Sequence, residues 1–204
     1  MGKSINEEPI NSESERAASY LSFLVKAVQQ IGTTLDYEET LTQIAKAMVP
    51  ELSDWCGVDI LQEDGQIKRL AVAHVDPKKV VLAEQLSTKY PPKPNAKGGS
   101  REVLRTGETI MINGITDDLL VDSAVDDNHL RIMRELELHS LIVVPIKSRN
   151  KTLGTLTLVW SKLGHNYSLA DVAFAETLAS VAGSAIDNSR LYHKAVKKPL
   201  LVTV

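Results

Sequence analysis

The apolar positions of this chain fall into blocks of different period. Tyr20, Leu21, Leu24, Val28 and Ile31 recur at three- and four-residue steps, so residues 17–31 are predicted to form a helix with one apolar stripe, ended by Gly32. Residues 1–14 carry Asn, Ser and Glu without any period and read as a loose lead-in. Asp36 and Glu39 stand in capping-box spacing ahead of a second helix over 37–49, which Pro50 closes. Residues 55–61, the turn pair Asp64-Gly65 and residues 67–75 suit two antiparallel strands joined by a hairpin.

The middle of the chain is more mixed. Residues 77–86 read as helical, whereas 90–99 hold three prolines and two glycines in ten positions and exclude regular structure. A short helix over 100–105 ending at Gly107, a short strand over 109–112 and a helix over 128–136 follow. The strongest β pattern is 140–147, a polar turn at 148–151, then 153–160, where Thr155 and Thr157 alternate with Leu156 and Leu158. Ser168 and Asp171 cap a long final helix over 169–192, with Val172, Ala175, Leu178, Ala182, Ile186 and Leu191 on its apolar side. Its run of small residues, Ala179, Ser180, Ala182, Gly183 and Ser184, predicts close approach by a neighbouring element. The tail over 193–204 turns apolar after Lys197-Lys198 and reads as the boundary of a longer protein.

Composition narrows the function. A chain of 204 residues can bury roughly 70% of its unfolded surface and needs no staple. The net charge of −3, from 23 basic and 26 acidic residues spread along the length, offers no stripe for phosphates, so nucleic acid is not an expected partner. Cys56 is the only cysteine and cannot form an intrachain disulfide, which fits a reducing cytoplasm. The longest strongly apolar stretch, 141–146, falls far short of the ~20 residues that cross a bilayer, so no membrane insertion is expected. Asn6 stands where a myristoylation signal needs Ser or Thr.

Particular strings carry a family likeness. Leu35-Asp36-Tyr37-Glu38-Glu39-Thr40-Leu41, Asp54-Trp55-Cys56, Val103-Leu104-Arg105-Thr106-Gly107-Glu108, Val144-Pro145, Leu153 to Leu158 and Ala185-Ile186-Asp187-Asn188 resemble, in order and spacing, the GAF domains of bacterial signalling proteins. The resemblance covers about residues 16–192 and is nearest to domains placed ahead of histidine kinase or phosphatase outputs. It implies an α+β fold: a central antiparallel sheet of five or six strands, with the N- and C-terminal helices on one face and a pocket under loops and helices on the other. The domain organisation follows as lead-in 1–14, GAF-like domain 15–192 and tail 193–204.

The resemblance places a small-molecule site among segments 75–141, and the candidates are His74, Leu82, Ile112, Leu130, Arg131, His139, Leu141 and Val143. A neutral imidazole at His74 or His139 could exchange hydrogen bonds with a ligand, although ordinary structural roles are commoner. Dimer and output contacts are assigned to Leu21, Leu24 and Val28 on the first helix and Leu178, Ala182 and Ile186 on the last. Neither a metal nor another cofactor is expected, since the five histidines lack ligand spacing. The acidic cluster from Asp117 to Asp127 fits helix starts, not a calcium loop. The resemblance assigns bilin attachment to a cysteine later in the fold than Cys56, and methionine sulfoxide reduction to a relay needing a second thiol. No catalytic residue is assigned. The expected role is a ligand-binding sensory module of a homodimer with a covalently linked output domain; the alternatives are a ligand-free dimerisation scaffold and, more remotely, a thiol-dependent reductase.

Overall fold

The computed structural model describes residues 10–33, 36–91, 96–161 and 164–197. Seven helices and five strands alternate in the order α1 (Ile10–Thr33), α2 (Tyr37–Ala47), β1 (Trp55–Leu61), β2 (Ile67–His74), α3 (Pro77–Lys89), α4 (Gly99–Thr106), β3 (Ile110–Asn113), α5 (Asp117–Ser123), α6 (Asp127–Glu135), β4 (Ser140–Ser148), β5 (Lys151–Trp160) and α7 (Leu169–Lys197). The strands form one antiparallel sheet in the order β2-β1-β5-β4-β3. This is the α+β architecture that the family resemblance implies, with five strands of the expected five or six.

Local chemistry explains most of the boundaries. Asp36 accepts hydrogen bonds from the amides of Glu38 and Glu39 at 3.0 and 3.1 Å and so starts α2. At α7 the capping box is reciprocal: Asp171 Oδ2 accepts from Ser168 N at 2.7 Å, and the Asp171 amide donates to Ser168 Oγ at 3.3 Å. Thr116 caps α5 and Asp126 caps α6, so the acidic cluster is spent on helix starts. The β4–β5 hairpin turns on Arg149 and Asn150 with φ of 47° and 64°, the paired left-handed geometry of a tight hairpin.

The pleat sorts the sheet into two faces. Cys56, Val58, Ile60, Ile142, Val144, Leu156 and Leu158 point to one side, where α1, α2 and α7 cover them in the main core. The small residues of α7 serve that packing. A Cβ on Gly183 would lie 2.0 Å from the carbonyl oxygen of Lys147, so the helix rests directly on the backbone of β4. Gly154 does the same within the sheet, where a Cβ would come within 2.3 Å of the Asp59 carbonyl oxygen.

Several sequence expectations change here. The first helix begins at Ile10 and ends at Thr33, so residues 10–14 are helical rather than lead-in and Gly32 does not stop it. The last helix runs to Lys197, five residues past the expected end at 192. Helix α5 was not anticipated as a separate element. Over Leu169–His193, α7 has the length and apolarity of a membrane-crossing helix, unlike anything expected, but Phe174, Ala175, Leu178, Ala179, Ala182 and Ile186 spend that apolar surface on the domain's own core.

The terminal helices also divide their stripes differently. Tyr20, Phe23, Leu24 and Ala27 face inward, with the Tyr20 ring stacked on Phe174 at 4.3 Å and its hydroxyl donating to Asp171. Leu21, Val25 and Val28 face outward, and Leu21 is 65% exposed. Leu24 is therefore a packing residue of its own domain. Leu178, Ala182 and Ile186 lie in that core as well, so they have no surface left for a partner.

Candidate functional site

The second face of the sheet has a different composition. Trp55, Gly57 and Asp59 of β1 point to it, with Arg69 and Val72 from β2, Thr155, Thr157 and Val159 from β5, Leu141, Val143 and Pro145 from β4, and Ile110 and Ile112 from β3. One end of this face is apolar. Trp55, Val159, Val72 and Leu141 pack there against Leu82, Ala83 and Leu86 of α3, Ile132 of α6 and Leu136, which caps the C-terminus of α6.

The middle of the face is polar and charged. Asp59, 3% exposed at its side chain, receives Arg69 through Nε and through Nη2 at 3.1 Å, a two-point pair in register across β1 and β2. Ser100 at the start of α4 donates its hydroxyl to Asp59 Oδ2 at 3.1 Å and ties that helix over the pair. The guanidinium lies across Gly57 and faces the Trp55 ring at 5.8 Å from its centroid. Trp55 Nε1, Arg69 Nη1 and Thr155 Oγ1 are buried atoms with no protein partner. A buried donor without a partner costs about 1–3 kcal/mol, so this face carries polar groups at the expense of stability.

The rim is fixed by a second polar group. Tyr90, which ends α3, donates to Asp126 at 2.8 Å and accepts from Asn128 Nδ2 at 2.8 Å, and its ring lies 4.5 Å from that of His129. This joins α3 to the start of α6 at the edge of the proline-rich segment. On the other side Glu102 accepts from the Gly98 amide.

The eight sequence candidates separate into three groups. Ile112, Leu141 and Val143 share the second sheet face with Asp59 and Arg69, and Leu82 packs beside Leu141. His74 ends β2 on the same face, but its Nδ1 accepts the Asp76 amide at 2.9 Å, and His139 Nε2 accepts from the Gly164 amide at 3.3 Å. Both rings have structural partners. Leu130 and Arg131 line an outward groove of about 430 Å³ along α6, away from the sheet face, and Arg131 is engaged there by Glu135 at 2.5 Å and Asn128 at 3.0 Å. The sequence reading missed Asp59, Arg69, Ser100 and Thr155 altogether. The available signal was one carboxylate inside the apolar run Trp55–Leu61, where an unpaired charge would be prohibitive.

Cys56 belongs to the opposite face. It is fully buried in the main core, and burial pushes its thiol up to about 12, so it stays protonated. The described residues contain no group of three or more side chains suited to a metal.

The histidines give the fold a pH dependence. Burial, ahead of other influences, lowers the pKa of His74 and His129 from the ordinary 6.5, and each accepts a backbone amide through Nδ1, His129 from Val125 at 3.1 Å. The unfolded chain therefore takes up protons first as pH falls. Their stabilisation is complete above 6.5 and declines as pH falls toward the lowered folded values. Urea midpoints should drop between neutral pH and about pH 5, and the double variant His74→Gln with His129→Gln should show a smaller drop. Equal slopes in both proteins would remove the histidines from the account.

An α+β domain with an order 2-1-5-4-3 sheet, helices closing one face and a polar centre on the other, is the class this geometry defines. The family model described as GAF domain matches residues 34–187, and the chain belongs to that family. The fold is similar to the GAF domain of a protein assigned as a sensor histidine kinase of Pseudomonas syringae pv. tomato, at 16% identity and TM-score 0.57, covering 92% of this chain and 99% of that one. It is also similar to free methionine-R-sulfoxide reductase from Neisseria meningitidis in complex with its substrate, at 17% identity and TM-score 0.63 over 87% and 93% of the two chains. The phycocyanobilin-bound GAF domain of a cyanobacterial phytochrome matches at 14% identity and TM-score 0.58 over 85% and 97%. No curated protein matches the chain in sequence. At these identities the likeness is one of fold, and it spans a kinase sensor, an enzyme and a pigment carrier.

Proposed function

We propose that this GAF domain is the regulatory sensory module of a signal-transduction protein of the two-component type. A small molecule binds at the second sheet face, and its presence is passed through the terminal helices of a homodimer to a covalently linked output domain. The observation that carries this reading is the polar centre of that face: Asp59 and Thr155 are buried and Arg69 adds a buried Nη1, where an apolar surface would be more stable. A few polar groups set in a largely apolar surface are the usual make-up of a small-molecule site.

The transmission half of the proposal draws on two contacts. Tyr20 on α1 holds Asp171 and Phe174 of α7, so a shift in one terminal helix reaches the other. The outward residues Leu21, Val25 and Val28 recur along one face of α1 and suit a symmetric contact with a second copy. That same face favours the rival reading of a dimerisation scaffold without ligand. Among other activities seen on this fold, bilin attachment and thiol-dependent reduction both find here only Cys56, which is buried on the helix-covered face.

Thermal-shift screening against cell metabolites separates sensor from scaffold, since a ligand at 100 times its dissociation constant adds ~2.7 kcal/mol. A sensor gives at least one stabilising hit that is lost when Leu141→Trp fills the face. A screen without hits, together with a stable dimer, favours the scaffold. Sedimentation at micromolar concentration showing only monomer would overturn the dimer.

A further inference from the structure

Two of the unpartnered side chains of the second sheet face, Arg69 and Trp55, flank Gly57. A Cβ placed on Gly57 would lie 3.4 Å from Arg69 Nη1 and 3.9 Å from Trp55 Cζ2, the ring carbon two bonds from Nε1. Thr155 stands opposite Asp59 in register, on the same face and two residues along β5 from Thr157, which is opposite Gly57. Trp55 is 7% exposed and Thr155 fully buried, and none of the atoms Trp55 Nε1, Arg69 Nη1 and Thr155 Oγ1 has a protein partner.

We propose that these groups form an acceptor-binding subsite, and that its ligand is an uncharged molecule with a carbonyl-type oxygen on an apolar body. The inference rests on the reading of this face as a ligand site. An indole N–H and a guanidinium can only donate, and a hydroxyl can do either, so the partner these groups call for is an oxygen with free lone pairs. Asp59 already balances the charge of Arg69 and occupies its Nε and Nη2. A carboxylate ligand would bring a second negative charge beside Asp59 with nothing left to compensate it, whereas an amide or ring carbonyl accepts the same hydrogen bonds without that repulsion. Next to the donors, Trp55 belongs to the apolar cluster with Val159, Leu141 and Leu82, which would receive the ligand's hydrocarbon part.

Four probes with one ring and different polar ends test this: benzamide, benzoate, benzylammonium and toluene. The readout is the indole N–H resonance of Trp55 in 15N-labelled protein, distinguished from that of Trp160 by the variant Trp160→Phe. Benzamide is expected to move the Trp55 resonance saturably and to bind about tenfold tighter than benzylammonium or toluene, with benzoate weaker than benzamide. Thr155→Val removes the hydroxyl at nearly constant shape and should weaken benzamide by roughly threefold to tenfold while leaving toluene unchanged. Should that variant not fold, Trp55→Phe, read by the ring protons of benzamide, makes the same comparison. Equal binding of all four probes, or benzoate tighter than benzamide, overturns the uncharged-acceptor assignment and leaves the ligand site standing. If no probe moves the Trp55 resonance, both the assignment and the site fall together.

Discussion

Gly183→Ala should destabilise the domain by about 3 kcal/mol, because the added methyl has no room and either α7 or β4 must move. The Cβ position lies 2.0 Å from the Lys147 carbonyl oxygen and 2.7 Å from its carbon, and both are backbone atoms that no rotamer change can displace. For a domain of this size the loss corresponds to a fall of about 6–12 °C in melting temperature. Ser184→Ala is the control, since Ser184 is the next residue on the helix, exposed, and only back-bonded to the Ser180 carbonyl at 3.1 Å. If the two substitutions cost the same, the close helix-to-sheet contact is not what the small residues are for.

Asp59→Ala is the second large effect, expected at about 3 kcal/mol, because removing one member of a buried pair leaves the other without compensation. Arg69 would keep its guanidinium over Gly57 with no carboxylate, and Ser100 would lose the acceptor that ties α4 to the sheet. Adding Arg69→Met to that variant should then cost little or restore stability, since the orphaned charge disappears with it. Chemical denaturation of the two single variants and the double gives the coupling directly. Additive losses would mean that Asp59 and Arg69 act independently despite their two-point contact.

Much of this architecture is legible in the sequence because it depends on short-range rules. The capping boxes at Asp36 and Ser168, the Asp64-Gly65 turn and the β4–β5 hairpin each reflect a few neighbouring residues. Element ends were less legible. Residues 10–14 are polar yet helical, and α7 continues to Lys197. The division of the α1 stripe could not be read either, because Leu21 and Leu24 have the same hydrophobicity and only the position of Phe174 decides which faces inward.

The candidate site was legible as a face but not as a set of side chains. Ile112, Leu141 and Val143, which the family resemblance put forward, lie together on that face. The polar centre depends on pairing between distant strands, which brings Arg69 and Thr155 to either side of Asp59. Alternation of Thr155 and Thr157 with Leu156 and Leu158 marks the strand but not the burial of both its sides from Gly154 to Trp160. His74, His139 and Arg131 attracted attention because their chemistry is versatile, and each is instead held by a local partner.

The two tryptophans stand on opposite sides of the sheet, Trp55 against Arg69 and Trp160 against His165 and Tyr167. The domain therefore contains a separate fluorophore for each of its layers. With Trp160→Phe the emission comes only from the ring beside the polar centre, and with Trp55→Phe only from the ring under the helices. Exciting each variant during a titration would time the arrival of a molecule on one layer against the rearrangement of the other, without any attached dye.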